Sequence, residues 1–247
     1  MTDALLQVTD LERHFDGLKA VDGVSFTVAP REVVSIIGPN GSGKTTTLNL
    51  VTATIPPHGG TITLDGARID RATTASIAEH GIARTFQNIE LFDNASVLSN
   101  LLVGRHCHSR TKLWQEILFM PNVRRAEKAH RAKVEEVIEL LDLQAYREKI
   151  IAGLPYGVRK VVELARALCS EPKLILLDEP SSGLNVEETD DMSYWIRDIK
   201  NELGITVLMV EHDMSLVNRV SDRVLALNYG RVIAQGTPAE VQRHPDV

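Results

Sequence analysis

Two cysteines, Cys107 and Cys169, are all that 247 residues provide, and no metal-like spacing connects them. A disulfide framework therefore has no material to form from, and both read as reduced, buried or inert thiols of a cytosolic protein. Excess positive charge is missing too, since 27 Lys and Arg face 33 Asp and Glu for a formal charge of -6. A phosphate-backbone binder needs a basic stripe and a high pI, so nucleic acid is not an expected partner. No apolar run approaches the roughly 20 residues that a spanning helix requires. If the protein serves a membrane, it does so from outside, through a partner. Met1-Thr2-Asp3-Ala4 has neither a basic flank nor a long apolar core, and is expected not to be a signal peptide. Repeats and low-complexity stretches are absent as well. What remains, 43% apolar and 24% charged, is the composition of a globular protein able to bury a core as one large domain or two small ones.

The most telling feature present is Gly38-Pro39-Asn40-Gly41-Ser42-Gly43-Lys44-Thr45-Thr46, which fits the phosphate-loop pattern G-x-x-x-x-G-K-[ST]. Apolar Val33–Ile37 precedes it, and a helix-compatible stretch through Leu48, Leu50 and Val51 follows. Glycines let backbone amides converge on phosphate oxygens, and the helix N-terminus adds a favourable dipole. Lys44 would reach the β- and γ-phosphates, and the Thr45 hydroxyl would ligate Mg²⁺. The sequence is therefore read as binding a nucleoside triphosphate.

Along the chain, Leu5–Val8 and Val24–Val28 suggest antiparallel strands, with turn-like Asp16-Gly17 and Asp22-Gly23 between them. Val33–Ile37 reads as a parallel strand buried on both faces. Thr61–Leu64 before Asp65-Gly66 is a further strand. Beyond Gln87 the pattern turns helical, with Val134, Val137, Ile138 and Leu141 on one face and Val161, Leu164, Ala165 and Leu168 on another. Strands return at Leu174–Leu177 and Ile205–Val210, separated by a helix that Asn185 and Glu188 cap and that is expected to end at Gly204. Arg223–Leu227 and Arg231–Ala234 flank Asn228-Tyr229-Gly230 like a hairpin. An α/β nucleotide-binding core, residues 4–87 and 173–247, is thus expected to be split by a helical insert over 88–172.

Leu174-Ile175-Leu176-Leu177-Asp178-Glu179 delivers two carboxylates at the end of an apolar strand, where parallel sheets place their ligands. Alone this is a weak signal, equally at home in an ordinary strand-to-turn junction. Beside a phosphate loop, Asp178 would help hold Mg²⁺ and Glu179 would orient and activate the attacking water. His212, at the end of the strand Ile205–Val210, reads either as a solvated histidine or as a γ-phosphate contact.

The phosphate loop, the Asp-Glu strand, Ser181-Ser182-Gly183-Leu184-Asn185 and the strand-end His212, in this order, resemble the ABC ATPase family over essentially the whole chain. The resemblance implies a P-loop NTPase (RecA-like) core with an N-terminal antiparallel β-subdomain and an inserted helical subdomain. It also implies ATP hydrolysis with Mg²⁺. Gln87 matches the family's lid glutamine, which senses metal and nucleotide. Phe15 sits where the adenine-stacking aromatic lies, a core phenylalanine being the other reading. Ser181–Asn185 matches the loop that crosses the dimer interface. Gly81–Phe92 and Asn100–His106 look like the branched-chain amino-acid importer ATPases, and the insert around residues 105–133 looks like their longer-insert type. That likeness implies a peripheral subunit on the cytoplasmic face of the inner membrane. Its expected partners are permease subunits, a second copy or related ATPase subunit, and a solute-binding protein.

The family's signature falls on Leu154-Pro155-Tyr156-Gly157-Val158, and here the chain departs from the pattern. Pro155 has no hydroxyl and no N–H to offer. What survives for in-trans contact is Tyr156, Gly157 and Val158 at the start of a helix expected over Val158–Leu168. Two other features have a plain and a sharp reading. The basic run Arg124, Arg125, Lys128, Arg131 and Lys133 is a solvated face or a lipid contact. The stripe Leu113, Trp114, Ile117 and Leu118 is core or a docking surface. Rival functions are a soluble ABC-type ATPase acting on ribosomes or DNA, and a P-loop kinase.

Overall fold

The computed structural model describes residues 4–108 and 121–247. They fall into two compact units, Met1–Gln87 with Lys173–Val247, and Asn88–Pro172. The first unit opens with a hairpin of β1 (Leu6–Phe15) and β2 (Leu18–Val28), turned at Asp16 and Gly17, both at positive φ. With β4 (Gly59–Leu64) and β5 (Ala67–Arg68) they make an antiparallel sheet ordered β2-β1-β4-β5. Asp22-Gly23 is not the turn expected from the sequence. Leu11 pairs with Val24 and Glu12 with Asp22, so Gly23 (φ 73) is an extra residue absorbed as a bulge and the strand runs on.

A six-stranded sheet follows, ordered β10-β9-β3-β8-β7-β6. Its strands are β3 (Val33–Ile37), β6 (Ile82–Arg84), β7 (Leu174–Asp178), β8 (Thr206–Val210), β9 (Arg223–Asn228) and β10 (Arg231–Gly236). Every pairing is parallel except that of β9 with β10. All residues of β3, β7 and β8 are buried, as near-continuous apolar runs require in a sheet covered on both faces. Leu6, Val28, Val34, Ile36, Leu176 and Leu208 join one core that unites both sheets, each contributing about 1.5–3 kcal/mol by leaving water. This order sets the carboxyl ends of β3, β8 and β7 side by side, although the sequence separates the first from the others by more than half the chain.

Helices α1 (Lys44–Val51), α2 (Thr74–Glu79), α6 (Val186–Asn201), α7 (Met214–Val220) and α8 (Pro238–Gln242) complete this unit. Asn185 and Glu188 form the reciprocal cap of α6 read from the sequence. That helix stops at Asn201, before Gly204, which takes φ 66 in the turn into β8.

The second unit packs α3 (Val97–Gly104), α4 (Pro121–Leu140) and α5 (Tyr156–Leu168) on one another. Leu101, Val134, Ile138, Leu141, Val162 and Leu164 are buried. A Cβ on Gly104 would overlap the Arg166 carbonyl oxygen, so glycine permits the close approach of α3 to α5. On α4, Arg131 pairs with Glu127 and Lys133 with Glu136, while Arg125 and Lys128 are exposed, the pattern of a solvated mixed-charge face. The stripe Leu113–Leu118 and the side chain of Arg124 lie outside the described residues.

Candidate functional site

Between β3 and α1 the chain runs through Gly38, Gly41 and Gly43 at φ 149, 79 and 103. A Cβ on Gly38 would overlap the Leu227 carbonyl oxygen, and one on Gly43 the Ala20 carbonyl oxygen, so both positions need glycine for space as well as conformation. No side chain caps α1, and no acid stands in its first turn. Its first amides and positive dipole end are left for an anion. Ser42 carries a buried hydroxyl with no hydrogen-bond partner, a polar atom that calls for a ligand. Pro39, Asn40, Gly41 and Thr45 are exposed around this concavity, and Thr46 is half-buried.

Lys44 is buried, and its Nζ donates to the carbonyls of Gly38 (2.8 Å) and Pro39 (3.0 Å). Burial pushes its ammonium below the usual lysine range, against the opposing pull of Glu179 and Asp178. The cation is thus loosely held by neutral carbonyls and can transfer to a stronger anionic acceptor.

Asp178 closes β7 and is 3% exposed. Arg84, at the end of neighbouring β6, donates to its Oδ2 at 2.7 Å. The same guanidinium reaches Asn49 Oδ1 (2.6 Å) and Thr52 Oγ1 (3.2 Å) at the end of α1 and just beyond. Sequence reasoning passed over Arg84 as a site member. The available signal was an arginine ending an apolar strand, three residues before Gln87.

Glu179 follows in the left-handed region at φ 51, costly for a residue with a Cβ and characteristic of functional turns. Its N–H donates to the Val210 carbonyl at 2.9 Å, which holds it beside β8. Gln87 Nε2 donates to Glu179 Oε2 at 2.9 Å. His212 Nδ1 lies 3.8 Å from Glu179 Oε1, with the imidazole largely exposed. Gln87 and His212, each from a segment that follows a strand, therefore both reach Glu179, one at each carboxylate oxygen. Phe15 ends β1 with its ring half open to solvent, and the Arg13 guanidinium sits 4.8 Å over its centroid.

Hard oxygen donors suit Mg²⁺. The Thr45 hydroxyl, the Asp178 carboxylate and the Gln87 amide oxygen, whose nitrogen is committed to Glu179, are such a set. Among the described residues no cluster of three or more His, Cys, Asp or Glu side chains could hold a metal by itself. A metal here would have to share its shell with phosphate oxygens.

In the helical unit, α5 begins at Tyr156 rather than at Val158. Pro155 is extended (φ -54, ψ 153), and proline is tolerated where the missing N–H would be unpaired anyway, so the helix starts directly after it. Gly157 is buried, Tyr156 exposed and Val158 half-buried. No side chain caps this end.

The profile of the ABC transporter family matches residues 21–182. A second profile, Branched-chain amino acid ATP-binding cassette transporter, matches residues 231–247. The chain is 39% identical over its full length, and 97% of the relative's, to the high-affinity branched-chain amino acid transport ATP-binding protein BraF of Pseudomonas aeruginosa. LivG of Escherichia coli, of the same description, is 38% identical over 247 residues with the same coverage. Among solved structures, the ADP conformation of MJ1267, an ATP-binding cassette of an ABC transporter, superposes with a TM-score of 0.86 at 30% identity. That match covers 99% of this chain and 96% of the other.

Proposed function

We propose, because this chain belongs to the ABC transporter family and is an ATP hydrolase of that family, that it powers a membrane importer for branched-chain or other hydrophobic amino acids. It does so through separate permease subunits, lying on the cytoplasmic face of the inner membrane. Among the described residues no helix is long and apolar enough to cross a membrane. The partners are those permeases, a second copy or a related ATPase subunit, and a solute-binding protein that delivers the cargo.

The observation that carries the mechanism is the meeting of Gln87, Glu179 and His212 beside the glycine loop. ATP lays its phosphates on the amides of Gly38–Thr46, with Lys44 leaving its carbonyl partners for the β- and γ-oxygens. Phe15 takes the adenine on the ring face that Arg13 leaves open. Thr45, Asp178 and Gln87 would hold Mg²⁺, which would supply neutralisation of phosphate charge. Glu179 orients the attacking water and accepts its proton, and His212 contacts the γ-phosphate. Tyr156, Gly157 and Val158 of the opposing subunit close the site from the other side, with backbone amides in place of the serine hydroxyl that Pro155 lacks.

The test is to isolate the chain with the membrane fraction and measure ATP-dependent uptake of labelled leucine into vesicles containing the recovered complex. Co-purifying hydrophobic permeases and saturable leucine uptake are expected. Recovery on ribosomes or DNA with no membrane partner would overturn the importer reading. Uptake of a different solute would overturn only the cargo.

A further inference from the structure

We propose that Glu211 is a positioning residue that ties the Ser181–Asn185 loop to the His212 turn, so that both are set as one piece. The proposal rests on the hydrolysis reading above, which makes His212 a γ-phosphate contact and Ser181–Asn185 an interface loop. It concerns how those two parts are coupled.

Strands β7 and β8 run side by side until Asp178 pairs with Val210 and the Glu179 N–H reaches the Val210 carbonyl. Past that point the β7–β8 ladder stops and the two segments diverge, with the Glu211 N–H still on the Ile36 carbonyl of β3 at 3.2 Å. Glu211 is the first residue beyond it on β8, and it is 0% exposed. Its Oε2 accepts from the Ser181 N–H (3.2 Å) and the Ser181 hydroxyl (2.9 Å). Its Oε1 accepts from the backbone N–H groups of His212 (2.7 Å) and Asp213 (3.1 Å). Asp213 in turn caps α7 by accepting from the Ser215 N–H at 2.8 Å. One side chain thus spans from the loop after Glu179 to the histidine turn and the helix beyond it.

Four donors converging on two oxygens require an acceptor-only group, which an ionised carboxylate is and an amide is not. In Glu211→Gln the amide oxygen can keep the His212 and Asp213 amides. Its NH₂ then faces Ser181, where the hydroxyl can turn to accept but the backbone N–H is stranded opposite another donor. The substitution therefore releases the Ser181 side and keeps the backbone hydrogen bonds of the His212 side, while it weakens the carboxylate's approach to the His212 ring. Fully buried, Glu211 has no path to a bound phosphate; it acts through the segments it holds and through the His212 imidazole, whose Nδ1 lies 3.7 Å from its Oε1.

The test uses the full chain assembled with its partner subunits. Glu211→Gln, Ser181→Ala and the double variant are compared for ATP affinity, turnover and exchange of the Ser181, His212 and Asp213 amides. Glu211→Gln is expected to lower kcat about 10- to 100-fold, the scale on which small misplacements act. ATP Kd should stay within about twofold of wild type, because the phosphate loop is untouched. The Ser181 amide should exchange faster while those of His212 and Asp213 stay protected, and the double variant should be no slower than Glu211→Gln alone. An unchanged kcat, parallel loss of ATP affinity, or additive losses would overturn the coupling. If Glu211→Gln does not fold, Ser181→Ala carries the test, with kcat a few-fold lower at constant Kd expected and an unchanged kcat counting against it. Glu179→Gln, run alongside, separates the two claims. If it retains full turnover, the hydrolysis reading itself is wrong; if it is inactive while Glu211→Gln is normal, only the role of Glu211 falls.

Discussion

Asp178 owes its place to a residue that only a faint local pattern marked, an arginine at the end of a short strand. Arg84 pairs with it in a buried contact and reaches Asn49 and Thr52 from the same guanidinium. Removing one partner of such a pair strands the other charge, so Arg84→Ala is expected to destabilise the fold by about 3–5 kcal/mol. Arg84→Lys should recover only part of this, because an ammonium cannot serve three acceptors on separate elements at once. Denaturant unfolding reads both, and a loss under 1 kcal/mol in the alanine variant would contradict the account. The cysteines show a different limit of sequence reading. Both were expected to be buried or inert; Cys169 is buried, its thiol pushed up to about 12 by desolvation, while Cys107 is exposed, with its thiol also pushed up by partial desolvation. Exposure of a single residue depends on packing that composition does not encode. Alkylation at pH 8 followed by mass spectrometry should label Cys107 in the native protein, and Cys169 only after unfolding.

Among the elements, β3 was legible to the residue, because an unbroken apolar run before a glycine loop has few other readings. The caps at Asn185 and the turns at Asp16-Gly17 and Asn228–Gly230 were legible for the same local reason. Gly23 was not, since a bulge is defined by its partner strand, and Asp-Gly marks a turn only where no partner continues the ladder. The start of α5 was missed by two residues because Pro155 is a helix stop in one context and an entry in another. The phosphate loop makes the strongest prediction at this scale. Gly38→Ala should collide with the Leu227 carbonyl and lower ATP affinity at least tenfold. Gly41→Ala meets nothing within 4 Å and should cost only the left-handed strain of about 1–2 kcal/mol, with a smaller effect on binding. Equal affinities by calorimetric titration would mean that the loop's shape is not what holds the phosphates.

For the molecule as a whole, the motifs named the chemistry long before the fold could be drawn. Glycine loop, acid pair and strand-end histidine lie far apart in the sequence, and their order alone carried the family. What the sequence withheld was the strand order β3-β8-β7, which is set by long-range pairing and makes neighbours of Lys44, Glu179 and His212. The cross-links by Arg84 and Glu211 were hidden for the same reason, each joining segments that only the sheet brings together. The account's central claim is that Glu179 is the base at an ATP site built by these strand ends. The direct measurement is ATP affinity and steady-state phosphate release by the Glu179→Gln variant beside wild type, in the assembled complex. The amide preserves volume and nucleotide contacts but cannot take the proton, so affinity should be retained while turnover falls about 10²–10⁴-fold. Turnover within twofold of wild type would contradict it.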